Sequence, residues 1–311
     1  MGLPAPVIDY IFDEHSRRPI RGDIGFIAKQ STFATEKSLR HLSKKYNIQA
    51  PSDFQIEFDK QSRSALGDQF VRRLLKRILK RPRLNLISDK CLMHFLGVKS
   101  FSTIDVSDYE GADIICDLSQ PLPESLYQKF DFIFNGSCLD NIFNPAEALR
   151  NISRMLKPNG RLVMIEHGTM ANGPYTVFSP GWFFDYFCCN KYQDCRVYHG
   201  LFKNNTDLHY GPWPLYLYNW RANKLGISPT VRSRDHIMYL IVAEKGKNST
   251  DEFFPIQYQY RDPTFEKAAF FPQVVEMLNQ TKPSFGISGK EFYDDQTPFI
   301  NCGYLGSGTP F

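Results

Sequence analysis

Apolar positions along this chain change their spacing at about residue 84. Before it they recur with a helical period, in stripes over 35–46 and 61–81 that are interrupted by Pro51 and Pro82. From Leu84 onward they gather into short apolar runs separated by amphipathic segments, the pattern of a parallel sheet covered on both faces. The runs predict strands over 84–88, 101–106, 112–116, 130–135 and 161–167, with helices over 89–96 and 145–156. The second helix opens on proline after Asn144 and closes at Lys157-Pro158-Asn159-Gly160. A short aromatic helix follows over 180–187, then strands over 193–199 and 236–243. The stretch 203–234 between those strands is rich in Trp, Tyr and Pro and too long for a bare connection, so it reads as a lid or insertion. The chain therefore divides into an N-terminal helical extension (1–83), an α/β domain (84–247) and a C-terminal extension (248–311) with a helix near 264–279.

Composition narrows the function. A net charge of +4 gives no basis for a nucleic-acid partner. The basic run from Arg72 to Arg83 alternates with Leu74, Leu75, Ile78 and Leu79 as an amphipathic helix with a solvated face would. No run approaches the ~20 apolar residues of a membrane span, and acids and prolines fill the first residues, so a cytoplasmic location is expected. Seven cysteines without CxxC spacing read as reduced thiols, and no cluster of metal ligands is present, so no metal is expected. The terminal extensions are candidate surfaces for a homo-oligomer.

Three segments carry the candidate chemistry: Ser102-Thr-Ile-Asp105-Val-Ser, Phe130-Asp-Phe-Ile-Phe-Asn135-Gly-Ser-Cys-Leu139-Asp140-Asn141, and the helix ending in Leu156-Lys157-Pro158-Asn159-Gly160-Arg161 that feeds a strand. In this order they resemble the second, fourth and fifth strands of class I S-adenosylmethionine-dependent methyltransferases. Asp105 to Asp117 also resembles methyltransferase-domain proteins of surface-glycan loci. The resemblance implies a Rossmann-like α/β sheet with helices on both faces, S-adenosylmethionine as cofactor, and methyl transfer to a small-molecule or glycan-like acceptor, at oxygen.

The resemblance also implies roles. Asp105 and Val106, ending the second strand, would meet the ribose, although Asp105 reads equally as a turn cap. Asp117 would take the adenine amino group, or cap the Ser119-Gln120-Pro121 turn; Ile115, Cys116 and Leu118 would supply apolar walls for the base, or pack in the core. Asn135 and Gly136 would lie at the reacting centre, where glycine lets backbone approach a ligand closely. Relatives place a glycine-rich loop after the first strand. Here Ser88, Asp89 and Lys90 stand at the corresponding position and would meet the methionine end. His167, ending the fifth strand, is the candidate base for a hydroxyl acceptor, or a histidine bonded into a loop. Tyr175, Phe178 and Trp182 would wall the acceptor pocket, or pack in the core. Relatives commonly read Leu-Glu-His where this chain has Leu139-Asp140-Asn141. The alternative function is a methyltransferase-like domain without activity that binds a nucleotide or a protein partner. A nicotinamide enzyme and a serine hydrolase are disfavoured, since neither a GxGxxG after a strand nor a GxSxG is present.

Overall fold

In a computed structural model, residues 2–59, 85–169, 173–218, 235–256 and 299–306 are described. They form a mixed nine-stranded sheet with helices on both faces. The strands are β1 (Gly2–Leu3), β2 (Ile24–Ile27), β3 (Ser31–Thr32), β4 (Ser102–Asp105), β5 (Ile114–Ile115), β6 (Phe130–Gly136), β7 (Leu156–His167), β8 (Asp194–Phe202), β9 (Trp213–Tyr218), β10 (His236–Glu244) and β11 (Phe299–Leu305). The sheet runs in the order β11-β9-β8-β10-β7-β6-β2-β4-β5, while β1 and β3 form a separate parallel pair. From β7 through β6, β2 and β4 to β5 every pairing is parallel, and β10, β9 and β11 run antiparallel to their neighbours.

The central strand corrects the sequence reading. The first strand of the parallel set is Ile24–Ile27, inside the region expected to be a helical extension, and not the run 84–88. Of that run, Ile87 makes only an isolated bridge to Phe58. All four residues of β2 are buried, as a strand covered on both faces requires. Gly25 lets the Phe130 ring pack closely, since a Cβ would sit 3.2 Å from that ring. Two further differences lie in the antiparallel half. The first part of the expected lid supplies β9 to the sheet, and the C-terminal extension supplies β11 beside it. The basic stripe within 61–83 and the helix expected at 264–279 lie outside the described residues.

Helices α1 (Ala5–Arg17), α2 (Glu36–Tyr46) and α3 (Asp89–Phe95) pack together through Phe12, whose ring lies 6.4 Å from Tyr46 and 5.7 Å from Phe95. Helix α4 (Pro145–Met155) begins where Asn144 accepts a hydrogen bond from the Glu147 amide, and it buries Ala148, Leu149, Ile152 and Met155. Its end is held by the Lys245 ammonium, which donates to the carbonyls of Ser153 (2.6 Å) and Leu156 (3.0 Å). Tyr186 of α5 (Pro180–Cys189) donates to Ser153 of α4 at 3.1 Å. Strand alternation separates the layers: Arg196 and Tyr198 point to α1, whereas His199 and Tyr239, one residue out of phase, meet Phe183 of α5. A short α6 (Asn205–Tyr210) leads into β9. No helix among the described residues is long and apolar enough to cross a membrane.

Helix α1 is bolted to the sheet by a buried charge cluster. Glu14 accepts from Arg196 Nη1 (2.7 Å), Arg161 Nη1 (3.3 Å) and Tyr10 Oη (2.7 Å), and Arg196 Nε also donates to Asp194 (2.9 Å). Burial pushes the Glu14 carboxyl upward, but the two guanidinium groups outweigh it and hold the group at about 2. Asp194, desolvated and less well compensated by Arg196, is pushed up to about 7. Glu14→Gln leaves two buried arginines undercompensated, and urea denaturation should show a loss of about 3–5 kcal/mol. The native state holds a proton on Asp194 between about pH 4 and about 7 that the unfolded chain has released, so this group's contribution falls as pH rises through that window. Asp194→Asn should flatten the decline in unfolding free energy between pH 4 and 7.

Candidate functional site

The chain runs from β2 to β4 and β5 on one side, then crosses to β6 on the other, so the strand order reverses between β2 and β6. Ligands of open α/β sheets bind at such a switch point, beyond the carboxyl ends of the strands. Five of the expected site residues stand on these ends: Asp105 on β4, Asp117 just past β5, Asn135 and Gly136 on β6, and His167 on β7.

Two of the residues expected to meet adenosine, Asp105 and Asp117, stand side by side. Asp105 and Ile115 pair in register across β4 and β5, which puts Asp105 and Asp117 at neighbouring tips. The half-buried Asp105 carboxylate accepts one hydrogen bond, through Oδ1 from the Val106 amide (2.6 Å), and Oδ2 has no partner among the described residues. Asp117 caps the following turn with Oδ1, taking the amide (2.8 Å) and hydroxyl (2.7 Å) of Ser119, and keeps its exposed Oδ2 free. Val106 and Ile115 are 64% and 55% exposed and offer an open apolar wall. Cys116 and Leu118, expected to form that wall, are core residues instead, because the alternation along β5 turns Ile115 outward.

The expected methionine-end residues do not sit open at the crevice. Ser88 is the N-cap of α3, accepting from the Cys91 amide at 3.0 Å, and Asp89 is buried, accepting from the amides of Gln30 (3.3 Å) and Lys90 (2.8 Å). Lys90 is exposed on the first turn of α3. The loop that follows the first strand is Ala28-Lys29-Gln30, with Ala28 in the left-handed region (φ 58°). Sequence reasoning missed Gln30, which is 1% exposed. Its Nε2 donates to the Ile27 carbonyl (2.9 Å), which fixes the amide so that Oε1, buried and unpartnered, lies over Gly136. A Cβ on residue 136 would fall 2.1 Å from that oxygen, so any side chain there would have to displace the Gln30 amide.

On the β7 side, His167 is brought against the turn after β6. Its Nδ1 makes a short hydrogen bond with Asp140 Oδ2 and lies 3.0 Å from Ser137 Oγ, which donates to the same carboxylate oxygen at 2.7 Å. Asn141 donates to Asp140 Oδ1 at 2.6 Å. Nε2 has no hydrogen-bond partner among the described residues. A carboxylate on Nδ1 fixes the proton there and leaves Nε2 as the basic nitrogen. Ser137 is held at φ 63°, left-handed backbone that costs a non-glycine residue of the order of 1 kcal/mol and recurs at functional sites.

Glu166 holds this turn in place. Its carboxyl accepts from the amides of Leu139 (3.1 Å) and Asp140 (3.2 Å) and from Asn135 Nδ2 (2.5 Å). Full burial, and then the nearby Asp140 charge, push it well above the usual carboxyl range, so it is carried as the neutral acid.

Of the expected acceptor residues, Phe178 is buried at 5.1 Å from Phe183 and acts as core, with Trp182 half-buried against it. Tyr175 is open. Its amide donates to the Asp140 carbonyl (2.8 Å) and its ring is 74% exposed, edge-to-face with the 89% exposed Phe143.

Residues 113–211 match a family model described as "Methyltransferase domain". The match covers about a third of the chain; it contains Asp117, Asn135, Asp140 and His167 but not β2 or Asp105. No curated protein matches. Similar solved structures include a SAM-dependent methyltransferase of Thermotoga maritima, 16% identical over 50% of this chain and 77% of that one, with a TM-score of 0.35. Another is phosphoethanolamine N-methyltransferase 2 of Haemonchus contortus with S-adenosyl-L-methionine, 12% identical over 77% of this chain and 52% of that one, with a TM-score of 0.32. The functional reading therefore rests on the family-model match and on the geometry of the chain itself.

Both carboxyl oxygens of Glu166 accept from N–H donors, so Glu166→Gln, which turns one of them into an NH2 group, should cost about 1–3 kcal/mol. Glu166→Ala strips three donors of their acceptor at once and should cost about 2–4 kcal/mol in urea denaturation.

Proposed function

We propose that this chain, which carries a methyltransferase domain over residues 113–211, transfers a methyl group from S-adenosylmethionine to a hydroxyl of a small-molecule or glycan-like acceptor. One observation carries the reading: a histidine–carboxylate pair stands at the carboxyl ends of β6 and β7, beside the switch point of the sheet, with no partner on its Nε2 among the described residues. Asp105 and Asp117 are the residues to hold the adenosine, with Val106 and Ile115 against the base. The orphaned acceptor of Gln30, above the bare backbone of Gly136, suits a donor such as the ammonium of the methionyl end. The cofactor, when bound, supplies an electrophilic methyl group on a sulfonium.

The residues of the chain do the rest. His167 Nε2 takes the acceptor proton as the new carbon–oxygen bond forms, and the Asp140 carboxylate balances the charge that appears on the imidazole. Ser137 and Asn141 hold Asp140 in position, and Glu166 fixes the turn that bears it, without adding a second negative charge beside it.

A second reading, a domain of this architecture that binds a nucleotide or protein partner without methyl transfer, is favoured by the Gln30 amide packed over Gly136. Calorimetric titration with S-adenosylhomocysteine separates the two. The enzymatic reading expects binding that weakens at least about tenfold in Asp105→Ala. It also expects His167→Ala to bind normally while turning over about 10²–10⁴-fold more slowly. No heat from either the unaltered chain or Gln30→Ala would leave the second reading standing.

A further inference from the structure

We infer that the hydroxyl methylated at this site is borne by an aromatic ring, so that the acceptor is a neutral phenol and not a sugar; this rests on the role of His167 proposed above. The evidence begins with two rings that the fold keeps in solvent. Phe143 and Tyr175 have centroids 6.2 Å apart and planes at 77°, and they are among the most exposed large hydrophobic residues of the described chain. Exposed aromatic pairs are costly, and they mark contact sites when they adjoin chemistry. This pair does adjoin it. Tyr175 is tied by its amide to the carbonyl of Asp140, the residue whose carboxylate engages His167, and Phe143 is three residues beyond Asp140 on the same turn. Two rings at near right angles form a recess in which a third ring stacks on one and meets the edge of the other.

Asn141 Nδ2 is committed to Asp140 Oδ1 and to the Ser137 carbonyl, and Asn144 Oδ1 caps α4, so each neighbouring amide is tied in part to the protein. Acidity favours a phenol. A phenol hydroxyl near 10 is about six units more acidic than a hydroxyl like that of water, so its proton is lost far more easily as the carbon–oxygen bond forms. In the step, the phenol oxygen bonds to the methyl carbon, its proton passes to Nε2, and the electron pair of the broken carbon–sulfur bond stays on sulfur.

The test uses the full chain with methyl-labelled S-adenosylmethionine and two probes, 2-naphthol and methyl α-D-glucopyranoside. Label should pass to the naphthol and not to the glucoside. Phe143→Ala/Tyr175→Ala should slow transfer at least about tenfold, with S-adenosylhomocysteine affinity unchanged within about twofold. The milder Phe143→Leu/Tyr175→Leu should fall between, which guards against a folding defect. Transfer to the glucoside alone, transfer to neither probe by a chain that binds S-adenosylhomocysteine, or full transfer by the alanine pair would overturn the phenol assignment. Absence of S-adenosylhomocysteine binding would instead overturn the methyltransferase reading beneath it.

Discussion

Four residues, Ile24–Ile27, hold the two halves of the parallel sheet together. Their backbone bonds to β4 on one side and β6 on the other, and that double pairing is what creates a switch point. Without β2 the carboxylate-bearing tips of β4 and β5 would form one edge, and the histidine-bearing tip of β7 would belong to another. The strand leaves little room for a side chain at Gly25, beside the Phe130 ring, and it has no exposed residue. Its position is therefore fixed by packing on both faces as well as by hydrogen bonds. The buried Glu14 cluster serves the same end from further away, seating α1 on the starts of β7 and β8.

The sequence made much of the domain legible, and the reason lies in contrast between neighbouring segments. Strands β6, β8 and β10 are long apolar runs bounded by turns, and α4 carries an asparagine cap, a proline in its first turn and a buried stripe. These survived almost to the residue. β2 did not, because Ile-Gly-Phe-Ile is short, contains a glycine that lowers strand propensity, and is separated from its partner β4 by some 75 residues of chain. The run 84–88 looks more like a strand by composition, yet Ser88 is taken as a helix cap and Ile87 forms one isolated bridge, to Phe58, outside the sheet. Pairing partners distant in sequence leave no local trace. The strands β9 and β11 were hidden for the same reason.

At the site, the residues on strand tips were found where expected, because a tip position follows once the strand is placed. Side-chain partnerships were not legible. Nothing in the spacing of Asp140 and His167, 27 residues apart, says that they touch. The departure from Leu-Glu-His at 139–141 looked like a loss of chemistry. The structure places the acid of that turn on the histidine of the next strand, so a hydrogen-bonded pair is present after all, assembled from two elements. The one signal that could have pointed to it is the left-handed serine after Asn135-Gly136, and conformation at Ser137 is not written in residue type.

Two carboxyl groups lie within one turn of each other here, and their environments divide the work. Glu166 is enclosed by backbone donors and apolar neighbours, and enclosure drives it to the neutral form. A second buried negative charge beside Asp140 would repel the one that serves the imidazole, and would raise the cost of the whole cluster. By surrendering its charge, Glu166 becomes a brace that fixes the backbone of Asp140 without competing for the proton on Nδ1. The arrangement explains why a glutamate, and not a larger apolar residue, ends β7 before His167: only a carboxyl reaches two consecutive amides and an asparagine at once. Geometry at the histidine is thereby set by the backbone of one strand and the side chain of its neighbour, and neither can shift without disturbing the other.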